Sequence, residues 1–471
     1  MDLTYAPPAA RAQTSPVGRY VGVLAGCLLG YAVLGRTFAY VGLAPLFIGE
    51  VMLAVGLAVS LSAGRVGAAL SSWPLRLWAV LLVWTVARTL PYVSTYGLDA
   101  PRDAMIVVYG LYAVIVAAVL LAEPDRLRQL VASYRTLVVV LLSVAWFIYG
   151  VAKLLGPGVP SLPWAPGVGV ISAKGGDLMV HMTGVVAFLM LGGRRLSMPL
   201  LVMSVLTAGL VMVSNRGGMV AFALGLGAVW LMRPVGTGAG RFVYALAALI
   251  VVSALVGPLV NVKIQGGTRE ISIEQVAENV KSIFVSSGSI ALDGTKRWRL
   301  LWWGDIVAYT FDGPYFWTGK GFGINLAESD GYAVDDDDDS LRSPHNGHMT
   351  VLARAGVPGV VLWALVHLTW IGAVLGAWVR ARLRDERRWM ALFAWLTGFW
   401  IAALVNGAFD VYLEGPMGGV WVWSMIGLGV AAVRLHRTHP HLLDPLDLPL
   451  PATHDRTRDD AGTARRPAFG W

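Results

Sequence analysis

The sequence has little charge for its length. Charged residues make up 14% of the 471 residues, whereas hydrophobic residues make up 56%, and the mean hydropathy is +0.63. Soluble globular domains carry about 25% charged residues. The composition therefore excludes an ordinary soluble domain and predicts a polytopic membrane protein.

Lysine and cysteine are also scarce. Only six lysines accompany thirty-one arginines, so the high isoelectric point depends mainly on groups that keep their charge. Most basic residues lie in short loops between hydrophobic segments, which argues against a nucleic-acid partner. The single cysteine, Cys27, excludes an intramolecular disulfide. No cleavable signal peptide is evident, because the first apolar run follows a polar N-terminus and lacks a small-residue cleavage site.

Twelve apolar runs have about the length needed to cross some 30 Å of hydrocarbon. They fall near residues 20–35, 40–62, 73–90, 104–122, 132–152, 178–193, 197–213, 218–233, 242–260, 357–379, 389–408 and 416–434. The interruption at 214–217 marks either a gap between two spans or a kink in one long helix. We therefore predict one all-α membrane domain over residues 20–434, with about twelve transmembrane helices.

Arginine is distributed unevenly between alternate loops. If the N-terminus is inside, each inner loop carries at least two arginines, and the short outer loops carry few basic residues. The inner set is Arg65, Arg76, Arg126, Arg128, Arg194, Arg195, Arg233, Arg241, Arg380, Arg382, Arg384, Arg387 and Arg388, and the outer set is Arg36, Arg102, Lys153, Lys174 and Arg216. By the positive-inside rule, this asymmetry predicts a cytoplasmic segment at 1–19 and an outer loop at 261–354. The tail at 435–471 has little to bury and is predicted to be disordered and cytoplasmic.

The outer loop contains two helical patterns between helices nine and ten. Ser272 to Gln275 resembles a capping box before an amphipathic helix, and a second helix is predicted from Thr295 to about Phe311. The glycines of Gly319–Gly323 predict a flexible turn. They do not indicate a phosphate-binding loop, because no strand precedes them and no helix start follows.

The outer loop is acidic overall. Nine lysines and arginines against thirteen acidic residues give residues 261–354 a net charge of −4. The run Asp335–Asp339 is interpreted as a solvated face, with divalent-cation binding as the alternative. Binding of an anionic ligand would therefore depend on individual arginines rather than on a basic surface.

His345-Asn346 lies where the outer loop runs back into a hydrophobic segment. A helix beginning there would leave unpaired N–H groups that attract anions. The spacing places His345, Gly356 and Gly359 on one helix face, where the glycines let another helix approach closely, and Pro358 suits the first turn of the main span. Histidine exchanges a proton near neutral pH, so His345 is either a catalytic group or a capping residue at a wet interface.

Two arginines can likewise be interpreted in two ways. Arg216 lies beside Gly217 and Gly218, where its guanidinium either binds a ligand or reaches lipid phosphates. Arg299, close to Arg297, lies among tryptophans that fit either a binding site or an ordinary anchoring helix.

Together these elements resemble the O-antigen ligase family, which includes O-antigen polymerases. The family pattern of His-Asn, nine residues, Gly, two residues and Gly is matched in full by His345-Asn346, Gly356 and Gly359. The family's Ser-Arg-Gly element is similar to 214–217, with Asn215 as an extra residue. Its Arg-x-x-x-Trp and Gly-x-Gly elements are similar to 299–303 and 319–321, so the resemblance covers about residues 20–434.

The resemblance implies a metal-independent, inverting glycosyltransferase without a cofactor. Such an enzyme moves a glycan from an undecaprenyl diphosphate carrier to a hydroxyl of a lipid or polysaccharide acceptor, on the outer face of a bacterial plasma membrane. His345 would be the general base, since histidine with an ordinary pKa of about 6.5 is largely neutral at pH 7. Arg216 and Arg299 would bind the diphosphate. Further expected roles are substrate binding for Asn346, Arg297 and Arg342, and a structural role for Gly356 and Gly359.

Three alternatives stay open from the sequence. A polymerase of the same family shares the donor chemistry. A transporter is favoured by Glu50 and His367, which are expected midway along spans two and ten, because ionisable residues at bilayer depth indicate a pathway. A non-catalytic lipid-binding or assembly protein would tolerate loss of His345.

Overall fold

A computed structural model of the protein describes residues 15–212, 215–237, 240, 244, 264–266, 269–271, 290–333 and 341–444. The first helices are α1 (Pro16–Leu34), α2 (Arg36–Ala39), α3 (Ile48–Ser62), α4 (Val66–Leu70), α5 (Trp73–Tyr96), α6 (Asp99–Val108), α7 (Leu111–Ala122) and α8 (Arg126–Leu155). They are followed by α9 (Gly175–Met190), α10 (Met198–Met212), α11 (Arg216–Met232), α12 (Ile290–Phe311), α13 (Leu326–Asp330), α14 (Gly347–Leu383), α15 (Arg387–Gly407) and α16 (Pro416–Thr438). Two 3₁₀ turns cover Gly156–Gly158 and Pro440–Leu443.

Three antiparallel hairpins complete the described elements. They pair β1 (Gly42–Leu43) with β2 (Leu46–Phe47), β3 (Ser161–Leu162) with β4 (Ala165–Gly169), and β5 (Ile264–Gly266) with β6 (Arg269–Ile271). The helices therefore account for the membrane architecture, and the hairpins are short connections.

Seven helical segments are long and apolar enough to cross a membrane. They are Pro16–Leu34, Trp73–Tyr96, Asp99–Ala122, Arg126–Leu155, Gly347–Leu383, Arg387–Gly407 and Pro416–Thr438. Four shorter apolar helices are Ile48–Ser62, Gly175–Met190, Met198–Met212 and Arg216–Met232. The predicted mostly helical membrane fold is confirmed, whereas the total of twelve spans stays a prediction because 242–260 is outside the described residues apart from 244.

The second predicted span differs from expectation at its beginning. The β1–β2 hairpin occupies residues 42–47, so the helix begins only at Ile48. Glu50 is in the first turn of α3, where its carboxylate accepts from the Phe47 N–H at 3.2 Å and the Tyr109 hydroxyl at 3.3 Å. The expectation that Glu50 lies midway along a span is therefore wrong, and the residue caps a helix and bonds a neighbouring one.

Helix packing brings the later helices around α14. This helix packs against α5 and α15, while α11 packs against α15 and α9. Elsewhere α16 packs against α7, and α1 against α8. The sequence interruption before α11 is a real break, because Asn215 is extended and its side chain caps α11 by accepting from the Gly218 N–H.

Several tryptophans are buried between helices. Their indole N–H groups donate across helix contacts, from Trp370 to Ile426 O at 2.9 Å and from Trp395 to Gly184 O at 2.8 Å. His367 is likewise buried, and its Nδ1 accepts from the Trp400 indole at 3.2 Å. This bond and the contact with the Trp363 ring pack His367 between helices.

The end of the last helix extends beyond the predicted domain boundary at residue 434. Helix α16 ends at Thr438, and Leu442 and Leu443 are buried after it. Residues 445–471, which make up most of the predicted disordered tail, lie outside the described residues. So do the predicted helix after Ser272 and the run Asp335–Asp339.

Candidate functional site

Helix α14 begins at the family-like histidine motif. Asn346 is its N-cap, and the side-chain oxygen of Asn346 accepts from the N–H groups of His348 at 3.0 Å and Met349 at 3.2 Å. His345 therefore precedes the helix instead of lying on its face as predicted. Because the side-chain oxygen of Asn346 is engaged in capping, two of the N–H groups expected to attract an anion already have a partner.

The same helix is broken at Gly356. Its φ is +69° and its ψ is −169°, so the backbone leaves the helical conformation there. A Cβ at this position would lie 2.7 Å from Phe316 O and 2.8 Å from Gly319 N. Gly356 thus permits close approach of the turn at 316–323, whereas the sequence predicted approach of another helix.

The turn at 316–323 satisfies backbone groups that the break releases. Pro358 has no N–H for the carbonyl of Arg354, and Gly321 N donates to that carbonyl at 3.0 Å. Val357 N donates to Phe316 O at 2.8 Å, and the Trp84 indole donates to Ala355 O at 2.9 Å. The glycine turn, which the sequence predicted to be flexible, is instead packed against α14. Its residues 319–323 are buried.

His345 is held between α12 and the turn after α15. Its φ is +50°, a left-handed conformation uncommon for residues other than glycine. The Trp303 indole donates to the preceding carbonyl, Pro344 O, at 2.9 Å, and the Trp298 ring centroid is 6.4 Å from the imidazole centroid. The imidazole is 31% exposed, so it is positioned by aromatic side chains yet open to a substrate.

Asp410 lies at the centre of the charged groups around His345. Its Oδ1 is 3.7 Å from His345 Nδ1 and 3.5 Å from Lys174 Nζ, and it accepts from the Val411 N–H at 2.8 Å. Burial alone would raise the pKa of Asp410, but His345 and Lys174 hold that pKa well below its usual range. Asp410 is therefore a carboxylate facing the imidazole.

Arg299 and Gly217, the neighbour of Arg216, contact the same turn. Arg299 Nη1 donates to Phe409 O at 2.9 Å, and Phe409 packs against Gly217, where an added Cβ would lie 2.9 Å from it. Burial lowers the pKa of Arg299, Asp410 opposes that shift and the nearby Arg216 adds to it. The two arginines therefore influence each other, and Arg299 lies close to the Asp410 carboxylate.

The other predicted substrate-binding arginines are placed differently. Arg297 is exposed and lies two residues before Arg299 on α12, about half a helical turn around the helix from it. Arg342 is in an ion network, where its guanidinium is 3.0 Å from Asp99 and 3.2 Å from Asp103, and Arg354 is 2.9 Å from Asp103. Arg342 thus holds the loop beside the site through ion pairs. Its predicted contact with substrate stays a prediction.

Glu414 joins this network to the histidine segment. It accepts from the Ser343 hydroxyl at 3.2 Å and the Thr350 hydroxyl at 2.9 Å. Burial raises the pKa of the Glu414 carboxyl, although both hydroxyls and Arg354 oppose the shift. The loop between α15 and α16 therefore contacts the segment around His345 through two acidic residues, Asp410 and Glu414.

The geometry places one exposed imidazole, two arginines, a lysine and a carboxylate around the start of α14. Residues 199–364 match the O-antigen ligase family.

The matched region contains the histidine motif, Arg216, Arg299 and both motif glycines, so the O-antigen ligase resemblance seen in the sequence is confirmed. The match supports a ligase-like or polymerase-like function, of a glycosyl-transferring kind. A comparison with curated proteins gave no match.

Asp410 and Lys174 lie outside the region that matches the O-antigen ligase family, and sequence reasoning missed both as site residues. Asp410 follows His345 by sixty-five positions, and Lys174 precedes it by more than that. The available signal was a charged residue in a short outer loop between two apolar runs. Without the packing of α15 against α14, nothing in the sequence connects that loop to the histidine.

Within the part of the chain that the structure describes, no group of three or more His, Cys, Asp or Glu side chains is arranged to hold a metal ion. The metal independence implied by the O-antigen ligase resemblance stays a prediction.

Proposed function

We propose that the protein transfers a glycan from an undecaprenyl diphosphate carrier to an acceptor hydroxyl on the outer face of the plasma membrane. The observation that carries the proposal is the cluster in which His345 and Arg299 lie beside Asp410, with Arg216 close to Arg299. It combines a candidate base with two permanent cations, and the reaction needs both. The O-antigen ligase match supports the same class of reaction.

His345 is the proposed general base. The Asp410 carboxylate faces Nδ1 at 3.7 Å, which favours the tautomer with a proton on Nδ1 and leaves Nε2 free to accept one. Nε2 takes the proton of the acceptor hydroxyl as its oxygen attacks the anomeric carbon. The bond from that carbon to the diphosphate oxygen breaks, and the configuration at the anomeric carbon inverts.

Arg216 and Arg299 are the proposed diphosphate ligands. The leaving diphosphate stays on the lipid carrier and gains negative charge as the glycosidic bond breaks. Guanidinium groups fixed beside that charge stabilise the transition state more than the ground state. Each charge-assisted hydrogen bond contributes roughly 1.5–3 kcal/mol.

The decisive experiment uses the purified protein, a carrier-linked glycan and candidate acceptors, with products identified by mass. His345→Ala should reduce the transfer rate by about 10²–10⁴ while binding of the donor persists, because only proton removal is lost. His441→Ala is the matched control, since His441 is exposed after α16. Undiminished transfer by His345→Ala would refute the assignment.

The same experiment separates a ligase from a polymerase. A ligase joins the glycan to a distinct acceptor once, whereas a polymerase lengthens carrier-linked glycan into a series of products. Both outcomes retain the proposed roles of His345 and the two arginines. A complete absence of glycosyl transfer to any acceptor would instead favour a non-catalytic protein.

A further inference from the structure

An apolar cavity lies at the end of the bundle opposite His345. Its rim includes Arg388 in the first turn of α15 and Gly193 just after α9. These helices have their other ends at the candidate site, where α15 leads to Asp410 and α9 follows Lys174. Arg388 is therefore separated from the candidate site by most of the length of α15, while Trp395 and Trp421 line the part of the cavity nearer the middle of the bundle.

The interior of the cavity suits hydrocarbon. Its volume is about 110 Å³ and its wall is almost entirely apolar, with Tyr134, Phe188, Trp395 and Trp421 among the lining side chains. These four rings contact one another, with centroids 4.7 Å apart for Tyr134 and Trp395 and 5.0 Å apart for Tyr134 and Phe188. Apolar cavities of about 150 Å³ stay dry and bind small apolar ligands, so a segment of lipid chain fits this space better than water.

The polar edge of the cavity is cationic. Arg388 Nη1 donates to Leu443 O at 3.1 Å, while its buried Nε has no hydrogen-bond acceptor among the described residues. No carboxylate in the described part of the chain lies within 4.0 Å of Arg388; the nearby Glu386 is paired with His436. At the other side of the rim, Arg135 Nε donates to the lining residue Gly193 at 3.1 Å.

We propose that this cavity binds one acyl chain of an anionic phospholipid, whose phosphate is held by Arg388. The apolar wall selects a hydrocarbon chain, and the unsatisfied Nε with uncompensated positive charge selects an anionic headgroup over a zwitterionic one. The arginine-rich connection between α14 and α15 adds positive electrostatic potential at this end of the bundle, which attracts an anionic headgroup. The proposal does not depend on the transfer reaction.

Native mass spectrometry of the purified full chain tests the proposal. The protein is titrated with phosphatidylglycerol and, separately, with phosphatidylcholine of the same acyl chains. The wild type should retain phosphatidylglycerol preferentially, and Arg388→Gln should weaken its binding at least about tenfold, which corresponds to the loss of one charge-assisted bond. Arg384→Gln is the matched control, because Arg384 is exposed at the same end of the bundle.

A second variant tests the chain-binding part. Ala391 lines the cavity, and Ala391→Phe should reduce binding of both lipids while the thermal unfolding temperature in detergent is maintained or raised. Equal retention of both lipids by the wild type would overturn the proposal, as would equal effects of Arg388→Gln and Arg384→Gln. Preferential retention of a polyprenyl phosphate over phosphatidylglycerol would also overturn it, because the occupant would then be a carrier lipid.

Discussion

At His345 the backbone is held in a left-handed conformation, with φ +50°. For a residue other than glycine this conformation costs of order 1–3 kcal/mol, and such residues cluster at functional sites. The cost is offset locally by the Trp303 bond to Pro344 and by the Asn346 cap. The aromatic and capping groups that surround His345 therefore fix the direction of its imidazole before any substrate binds.

Asp410 should act as a positioning residue for His345. Asp410→Asn removes the carboxylate that faces Nδ1, so kcat should fall by about 10- to 1000-fold, less than in His345→Ala. The KM for the donor should stay unchanged or decrease, because a negative charge leaves a site that binds diphosphate. Steady-state kinetics would check this, with Asp410→Glu expected to retain more activity than the asparagine variant. An increased KM at constant kcat would show that Asp410 acts only on donor binding.

The two neighbouring arginines of α12 should behave differently. Arg299 contacts the Phe409–Asp410 turn, whereas Arg297 is exposed. Arg299→Ala should weaken binding of the carrier-linked donor at least about tenfold, as expected for one lost charge-assisted bond. Arg297→Ala is its control and should bind the donor nearly as the wild type does. Comparable losses in both variants, measured by equilibrium binding, would contradict this assignment.

The sequence predicted Arg216, Arg299 and His345 as site residues. It did not predict Asp410. His345 and Arg299 are in short motifs whose residue types and spacing are specific enough to be recognised. Asp410 is recognisable only through tertiary structure, since a single aspartate in a short loop has no local pattern. The pairing of His345 with a carboxylate depends on how α15 packs against α14.

At the scale of elements, periodicity predicted where helices occur better than how they are interrupted. The helix ending at Phe311 was predicted correctly at that end, and the glycines of the histidine motif indicated a close contact. The sequence did not reveal that Gly319–Gly323 supplies the partner groups for the break at Gly356. This contact joins two segments that are separate in the sequence, and local sequence patterns describe each segment only by itself.

Gly356→Ala should destabilise the protein through this contact. The alanine Cβ would lie 2.7 Å from Phe316 O. In addition, φ +69° with ψ −169° is a conformation essentially restricted to glycine, and it costs another residue of order 1–3 kcal/mol. The thermal unfolding temperature in detergent should therefore decrease. Gly372→Ala in the same helix is the control, because an added Cβ there meets nothing within 4 Å. Equal unfolding temperatures for the two variants would mean that the 316–323 turn does not hold the break.

At the scale of the whole molecule, the helical membrane fold followed from composition and apolar segment length. The side of the membrane on which His345 lies is predicted from the arginine asymmetry between loops. Orientation therefore needs its own measurement. The single cysteine, which is buried, makes that measurement direct.

Cysteine labelling in a Cys27→Ser background should determine the orientation. Trp164 is exposed in the β3–β4 connection at the His345 end, and Arg384 is exposed at the other end. A membrane-impermeant maleimide should label Trp164→Cys in intact cells, because the positive-inside rule places that loop outside. Arg384→Cys should react only after permeabilisation. The reverse pattern would place the candidate site in the cytoplasm and exclude the proposed reaction there.

The break at Gly356 also has a mechanical consequence. A continuous helix of thirty-seven residues would transmit any change in its tilt from the lipid to its first turn. Bilayers of different thickness change the tilt of membrane helices. The part of α14 before the break is bonded to the 316–323 turn through the carbonyls of Ala353 and Arg354, and it does not continue the helical path of the span. We expect the imidazole of His345 to keep its alignment with Asp410 while the span below the break adjusts to bilayers of different thickness.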